Sequence, residues 1–92
     1  LESYLKPKLG FATYNLIASI AEDQYRRLKT LSFEGNKMGD HCFVTLASAL
    51  CYNTTVTVLN INDNNITDSS MKVCAEMIHM ASHLQALFLS WN

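Results

Sequence analysis

Leu28-Lys29-Thr30-Leu31-Ser32-Phe33-Glu34-Gly35-Asn36-Lys37-Met38 decides how this chain is read, because the arrangement returns twice. It recurs from Val56 to Ile66 and from Leu84 to Asn92, each time after 28 residues. Leu28, Val56 and Leu84 form one column, Leu31, Leu59 and Leu87 a second, and Phe33, Ile61 and Leu89 a third. Asn36, Asn64 and Asn92 complete the frame. Downstream, Met38 aligns with Ile66, Asp40 with Asp68, Leu46 with Cys74, Ala47 with Ala75 and Leu50 with Ile78, without a gap. Agreement at so many positions, with one spacing, is an internal repeat.

Within each copy, apolar residues alternate at Leu31 and Phe33, at Leu59 and Ile61, and at Leu87 and Leu89. A period of two sends one face of a short strand into a core. Strands are therefore expected near 29–33, 57–61 and 85–89, stacked in parallel. Each asparagine stands where the chain leaves its strand, and a buried amide there can bond the backbone groups of the turn and of its neighbours. Asn36, Asn64 and Asn92 are thus expected to form a structural ladder. After the asparagine, Phe43, Leu46, Ala47 and Leu50 fall at helical spacing, and so do Met71, Cys74, Ala75 and Ile78. Helices are expected near 40–52 and 68–81, with Asp40 and Asp68 as N-caps and those residues as buried stripes.

The frame L-x-x-L-x-L-x-x-N-x-L resembles the leucine-rich repeat, and the resemblance covers residues 28–92. Because 28 residues leave room for a helix, the resemblance is to the ribonuclease-inhibitor-like subtype. That implies an α/β solenoid, a horseshoe segment with parallel strands on the concave face and helices on the convex face. The repeats are placed at 28–55 and 56–83, with the start of another at 84–92. Residues 1–27 fit less well. Leu16 to Ala21 resembles the segment around Leu46 to Leu50 but lies two residues further from Leu28 than the frame requires, and Lys8 stands at the ladder position. They are read as a degenerate preceding repeat or an N-terminal helix, the helix running over Phe11 to Arg26. The chain stops after a strand and before its helix, so further repeats are expected to follow.

Composition narrows the function. Seven Lys and Arg against eight Asp and Glu leave a net charge of −1, which offers no basic field for nucleic acid or an anionic membrane. No stretch approaches the roughly 20 apolar residues of a spanning helix. Cys42, Cys51 and Cys74 are an odd set among apolar residues, which points to reduced thiols and a cytoplasmic setting. Two sequons, at Asn53 and Asn65, point the other way, but such patterns arise where turns need Asn and Thr. His79 and His83 are four apart, yet lack the H-E-x-x-H pattern and a third ligand, and Cys42 beside His41 makes no dyad by adjacency. No catalytic residue, cofactor or metal is expected.

The strand residues that point away from the core remain. The register gives the columns Thr30, Val58, Ala86; Ser32, Asn60, Phe88; Glu34, Asn62, Ser90; and Gly35, Asp63, Trp91. Glu34, Asn60, Asn62, Asp63, Phe88 and Trp91 are the expected partner-binding residues, with Trp91 the strongest contributor because tryptophan is enriched where binding energy concentrates. The resemblance implies a protein-interaction module within a larger scaffold, adaptor or sensor, binding a protein partner through the concave face and catalysing nothing. Two alternatives stay open. One is a structural component of a cytoskeletal or ciliary assembly, packed through its helices. The other is a regulator of a GTPase, since Ran GTPase-activating proteins are similar in repeat type. The only arginines, Arg26 and Arg27, precede the first clear repeat, and no motif carries a role onto them.

Overall fold

The alternating apolar residues do form strands, and the strands pair in the register that the period of 28 demands. The computed structural model describes residues 4–8, 10, 13–21, 28–81 and 83–92. Four short parallel strands lie side by side in chain order: β1 (Tyr4–Leu5), β2 (Thr30–Ser32), β3 (Val58–Asn60) and β4 (Ala86–Phe88). Helices α1 (Thr13–Ala21), α2 (Gly39–Leu50) and α3 (Met71–Met80) connect them, and a 3-10 turn at Asp68–Ser70 leads into α3. Thr30 pairs with Val58 and Val58 with Ala86; Leu31, Leu59 and Leu87 follow in the next row.

The sheet buries Leu31, Phe33, Leu59 and Ile61 completely, against Phe43, Leu46 and Leu50 of α2 and Ile17 and Ile20 of α1 in one continuous core. Each such side chain contributes about 1.5–3 kcal/mol by leaving water. Leu84, Leu87 and Leu89, the third copy of the motif, are only partly buried against the same core.

The first unit follows a different spacing from the one expected. Tyr4 pairs with Thr30 and Leu5 with Leu31, an offset of 26 residues. The ladder shows the same slip. Asn36 reaches back to the Pro7 carbonyl across 29 positions, whereas Asn64 reaches Phe33, and Asn92 reaches Ile61, across 31. Pro7 therefore repeats Phe33, and Gly10 rather than Lys8 holds the ladder position. Ile17 and Ile20 repeat Phe43 and Leu46, so the segment between helix and Leu28 is shorter than in the later unit, not longer. Of the helix expected over Phe11 to Arg26, α1 alone falls within the described residues; Phe11, Arg26 and Arg27 lie outside them.

The stripe expected on α3 also needs correction. On α2 the buried residues include Phe43, Leu46, Ala47 and Leu50, as expected. On α3 Cys74 is buried, but Met71 is 39% and Ile78 52% exposed, and Ala75 is exposed as well. Ser70, Met77 and Ala81 are buried instead. The cause lies in the neighbours: α2 is flanked by α1 and α3, whereas among the described residues the one α-helix that α3 packs against is α2. Only the positions that repeat Cys42, Leu46 and Ala49 stay covered, and the flank that repeats Phe43, Ala47 and Leu50 faces outward.

Neither aspartate caps its own helix. α2 begins at Gly39, preceded by Met38 without a side-chain cap, and Asp40 lies in the first turn. At the 3-10 turn that opens α3 Thr67, not Asp68, is the cap, its hydroxyl accepting from the Ser69 N–H, and Ser70 precedes α3 itself without a side-chain cap bond. Asp40 works across the repeat boundary. Its carboxylate accepts from the Thr67 N–H at 2.9 Å, from the Thr67 hydroxyl at 2.7 Å and from the Ser70 hydroxyl. These bonds, led by that from Ser70, pull the carboxyl down to about 2. One carboxylate thus holds the start of α2 to the turn that opens α3. Past the C-terminal end of α2 a buried amide also ties neighbouring units. Asn53, fully buried, donates to the Ile20 carbonyl at 3.3 Å and accepts from the Val56 N–H at 2.8 Å.

Candidate functional site

The turns that follow the strands are built by the three asparagines. Asn64 is completely buried; its Oδ1 accepts from the N–H of Asn36 (3.1 Å) and Met38 (3.2 Å), while its Nδ2 donates to the carbonyls of Phe33 (2.9 Å) and Asn62 (3.0 Å). Asn92 repeats the pattern one unit on, with Oδ1 accepting from Asn64 (2.8 Å) and Ile66 (3.1 Å) and Nδ2 donating to Ile61 (2.9 Å) and Leu89 (2.9 Å). Asn36 donates to Phe33 at 2.7 Å and to Pro7 at 3.3 Å. Each amide thereby satisfies its own turn and the turn before it.

Those turns need a left-handed residue at the position before the asparagine. Gly35 (φ 74°), Asp63 (φ 56°) and Trp91 (φ 63°) occupy it in successive units, and Lys37 (φ 51°) and Asn65 (φ 56°) form a second left-handed column. Glycine takes this conformation freely and aspartate tolerates it, whereas a residue as bulky as tryptophan is strained there by about 1–2 kcal/mol. The sequence places Gly35, Asp63 and Trp91 in one column but does not show its left-handed backbone, although a glycine aligned with an aspartate fits a turn of that kind.

On the outward face of the sheet the six expected residues divide. Phe88 is 48% and Trp91 85% exposed, the two large apolar side chains at the β4 end of this face. Glu34, Asp63 and Trp91 come together around a depression of about 380 Å³. Glu34 meets Lys6 at 3.8 Å, both well exposed, a contact worth less than about 1 kcal/mol. The Asp63 carboxylate has no hydrogen-bond or ion-pair partner among the described residues. Asn60 and Asn62 serve the backbone instead. The Asn60 Oδ1 accepts from the Asn62 N–H at 2.9 Å, and the Asn62 Oδ1 from the Ser90 N–H at 2.6 Å. Their acceptor ends are already engaged, which lowers what they offer a partner. The short first strand adds two residues that sequence reasoning missed: Tyr4 and Lys6 extend the rows of Thr30 and Ser32, and both are exposed.

Residues 52–73, from just after α2 through β3 and its turn into α3, match the family model described as Leucine Rich repeat. The match supports a leucine-rich-repeat reading of this chain. No curated protein matches the chain. Leucine-rich repeats commonly mediate protein–protein interaction, and the matched residues here include the ladder amide Asn64, the left-handed Asp63 and the outward Asn60. No helix among the described residues is long and apolar enough to cross a membrane.

Behind this leucine-rich repeat, on the helix side, lies a larger groove of about 660 Å³, lined by Cys51, Tyr52, Lys72, Glu76, His79 and Met80 among others. Tyr52 and Met80 are strongly exposed there. Burial raises the Cys42 and Cys74 thiols above their ordinary range. Cys51, partly exposed, donates its S–H to the Ala47 carbonyl at 3.4 Å. Of the two sequons, Asn53 is wholly buried and Asn65 exposed.

Proposed function

We propose that this chain is a protein-interaction module of the ribonuclease-inhibitor-like subtype, binding a protein partner through the outward, concave face of its sheet as part of a scaffold, adaptor or sensor. Its repeats run over 28–55, 56–83 and 84–92, with 1–27 a shortened preceding unit; strands line the inside of a horseshoe and helices its outside. The module works in the cytoplasm and catalyses nothing. One observation carries the reading: Trp91 is 85% exposed while its backbone is held in a left-handed conformation. An exposed indole gains nothing for the fold, and strain kept where packing does not require it marks function. Phe88 stands beside it on the same face, and aromatic anchors dominate interface energetics.

The test is quantitative capture of partners from cell extract by the intact protein and two sets of variants. Trp91→Ala and Asp63→Lys should each lose the captured proteins with circular dichroism unchanged. Losing an anchor costs about 2 kcal/mol or more, roughly thirtyfold in affinity. Tyr52→Lys and Met80→Lys should retain them. The opposite pattern would favour the second reading, a permanent structural assembly packed through the helices, which the apolar groove beside Tyr52 and Met80 supports.

A further inference from the structure

Resting on the sheet-face reading, we infer that the partner presents a basic side chain, lysine or arginine, which enters the depression between Glu34, Asp63 and Trp91. Three observations converge. The depression is lined by Glu34, Asp63 and Trp91, two acidic residues and the single tryptophan. A Cβ at Gly35 would meet only the Asp63 carboxylate, at 3.9 Å, so the absent side chain leaves the space beside that carboxylate open. Asp63 has no cation or donor of its own among the described residues, and the nearby Lys6 reaches Glu34 only at 3.8 Å and remains exposed.

Such a set selects by charge and shape together. A cation over an indole is held by the ring's quadrupole, and tryptophan is the best of the aromatic residues for this. Two carboxylates beside the ring neutralise the incoming charge and accept its N–H groups, bidentately in the case of arginine. An apolar tip would gain the ring but leave both carboxylates partly desolvated without a partner, and an acidic tip would be repelled. Tyr4 and Phe88 stand exposed on other rows of the same face.

The experiment selects ligands from a random-peptide library displayed against the intact protein, then titrates synthetic copies of the winners while following the emission of the lone tryptophan. Winners should be enriched in lysine or arginine. Replacing that residue by glutamine, or the lysine by norleucine, should weaken binding at least tenfold. The Glu34→Gln/Asp63→Asn double variant should lose the peptides to a similar degree while keeping its circular dichroism. Raising salt should weaken binding of the wild type but not of the double variant. Peptides that depend on Trp91 yet tolerate loss of their basic residue, or a selection that enriches no basic residue, would overturn the inference and leave the sheet-face reading standing. Peptides indifferent to Trp91→Ala and displaced by Tyr52→Lys would overturn both.

Discussion

Replacing Asn64 by alanine removes an amide that bonds four backbone groups, and the structure says which of them suffer. The two carbonyls keep other donors: Phe33 retains the Asn36 side chain at 2.7 Å, and Asn62 retains the Gly35 N–H at 3.0 Å. The Met38 N–H does not: Met38 is buried, and the Asn64 Oδ1 is the acceptor that the ladder gives its N–H. A buried donor left unpaired costs about 1–3 kcal/mol, which sets the expected loss. In a domain of this size that lowers the unfolding midpoint by about 4 °C or more. Urea and thermal unfolding followed by circular dichroism would measure it. Asn65→Gly is the matched control, because Asn65 is exposed and already left-handed, so glycine takes its place without strain and within about 0.5 kcal/mol. A loss for Asn64→Ala no larger than that of the control would refute the ladder as a source of stability.

Other consequences are open to measurement. The Asp40 carboxyl is depressed to about 2 in the folded protein from an ordinary 3.8, so its contribution is present above about pH 4 and is lost as the pH falls through 2. Thermal midpoints of wild type and Asp40→Asn should therefore differ at neutral pH and converge near pH 2; a constant gap would remove the cross-repeat clamp from the account. Under native conditions Cys51 should react with a thiol reagent well before Cys42 and Cys74, whose burial raises them and shields them, and three equal rates would contradict the packing. Trp91→Gly should raise stability by about 0.5–1 kcal/mol, since glycine relieves the left-handed strain and the lost side chain covers almost nothing, while partner binding falls. A destabilised Trp91→Gly would mean that the indole is a packing residue.

Much of the architecture is legible in the residues because it follows from a spacing. The columns Leu31, Leu59, Leu87 and Asn36, Asn64, Asn92 place strands and turns without knowledge of any contact, and the pairing follows them row for row. Failures occur where one unit differs from its copy through its neighbours. Met71 and Ile78 have the pattern of buried residues, but burial depends on what lies beside α3, and no periodicity carries that information. Asp40 reads as a cap from its place before an apolar stripe, yet its acceptors are drawn to Thr67 and Ser70 of the following unit. In the first unit the slip to an offset of 26 hides because Pro7 and Gly10 carry neither the apolar nor the amide signal of the motif. Outward columns were readable for the same reason as the inward ones. What they do was less so, since Asn60 and Asn62 look like free polar contacts until their oxygens are seen bonded to the turn backbone.

Hydroxyl-radical footprinting of the intact protein, alone and with a captured partner, tests the central functional claim most directly, because both faces carry oxidisable side chains. Phe88 and Trp91 mark the sheet face, and Tyr52 and Met80 mark the helices, all four exposed in the free protein. The account predicts that the partner protects Phe88 and Trp91 from oxidation and leaves Tyr52 and Met80 as reactive as before. Protection of Tyr52 and Met80 with Phe88 and Trp91 unchanged would contradict it.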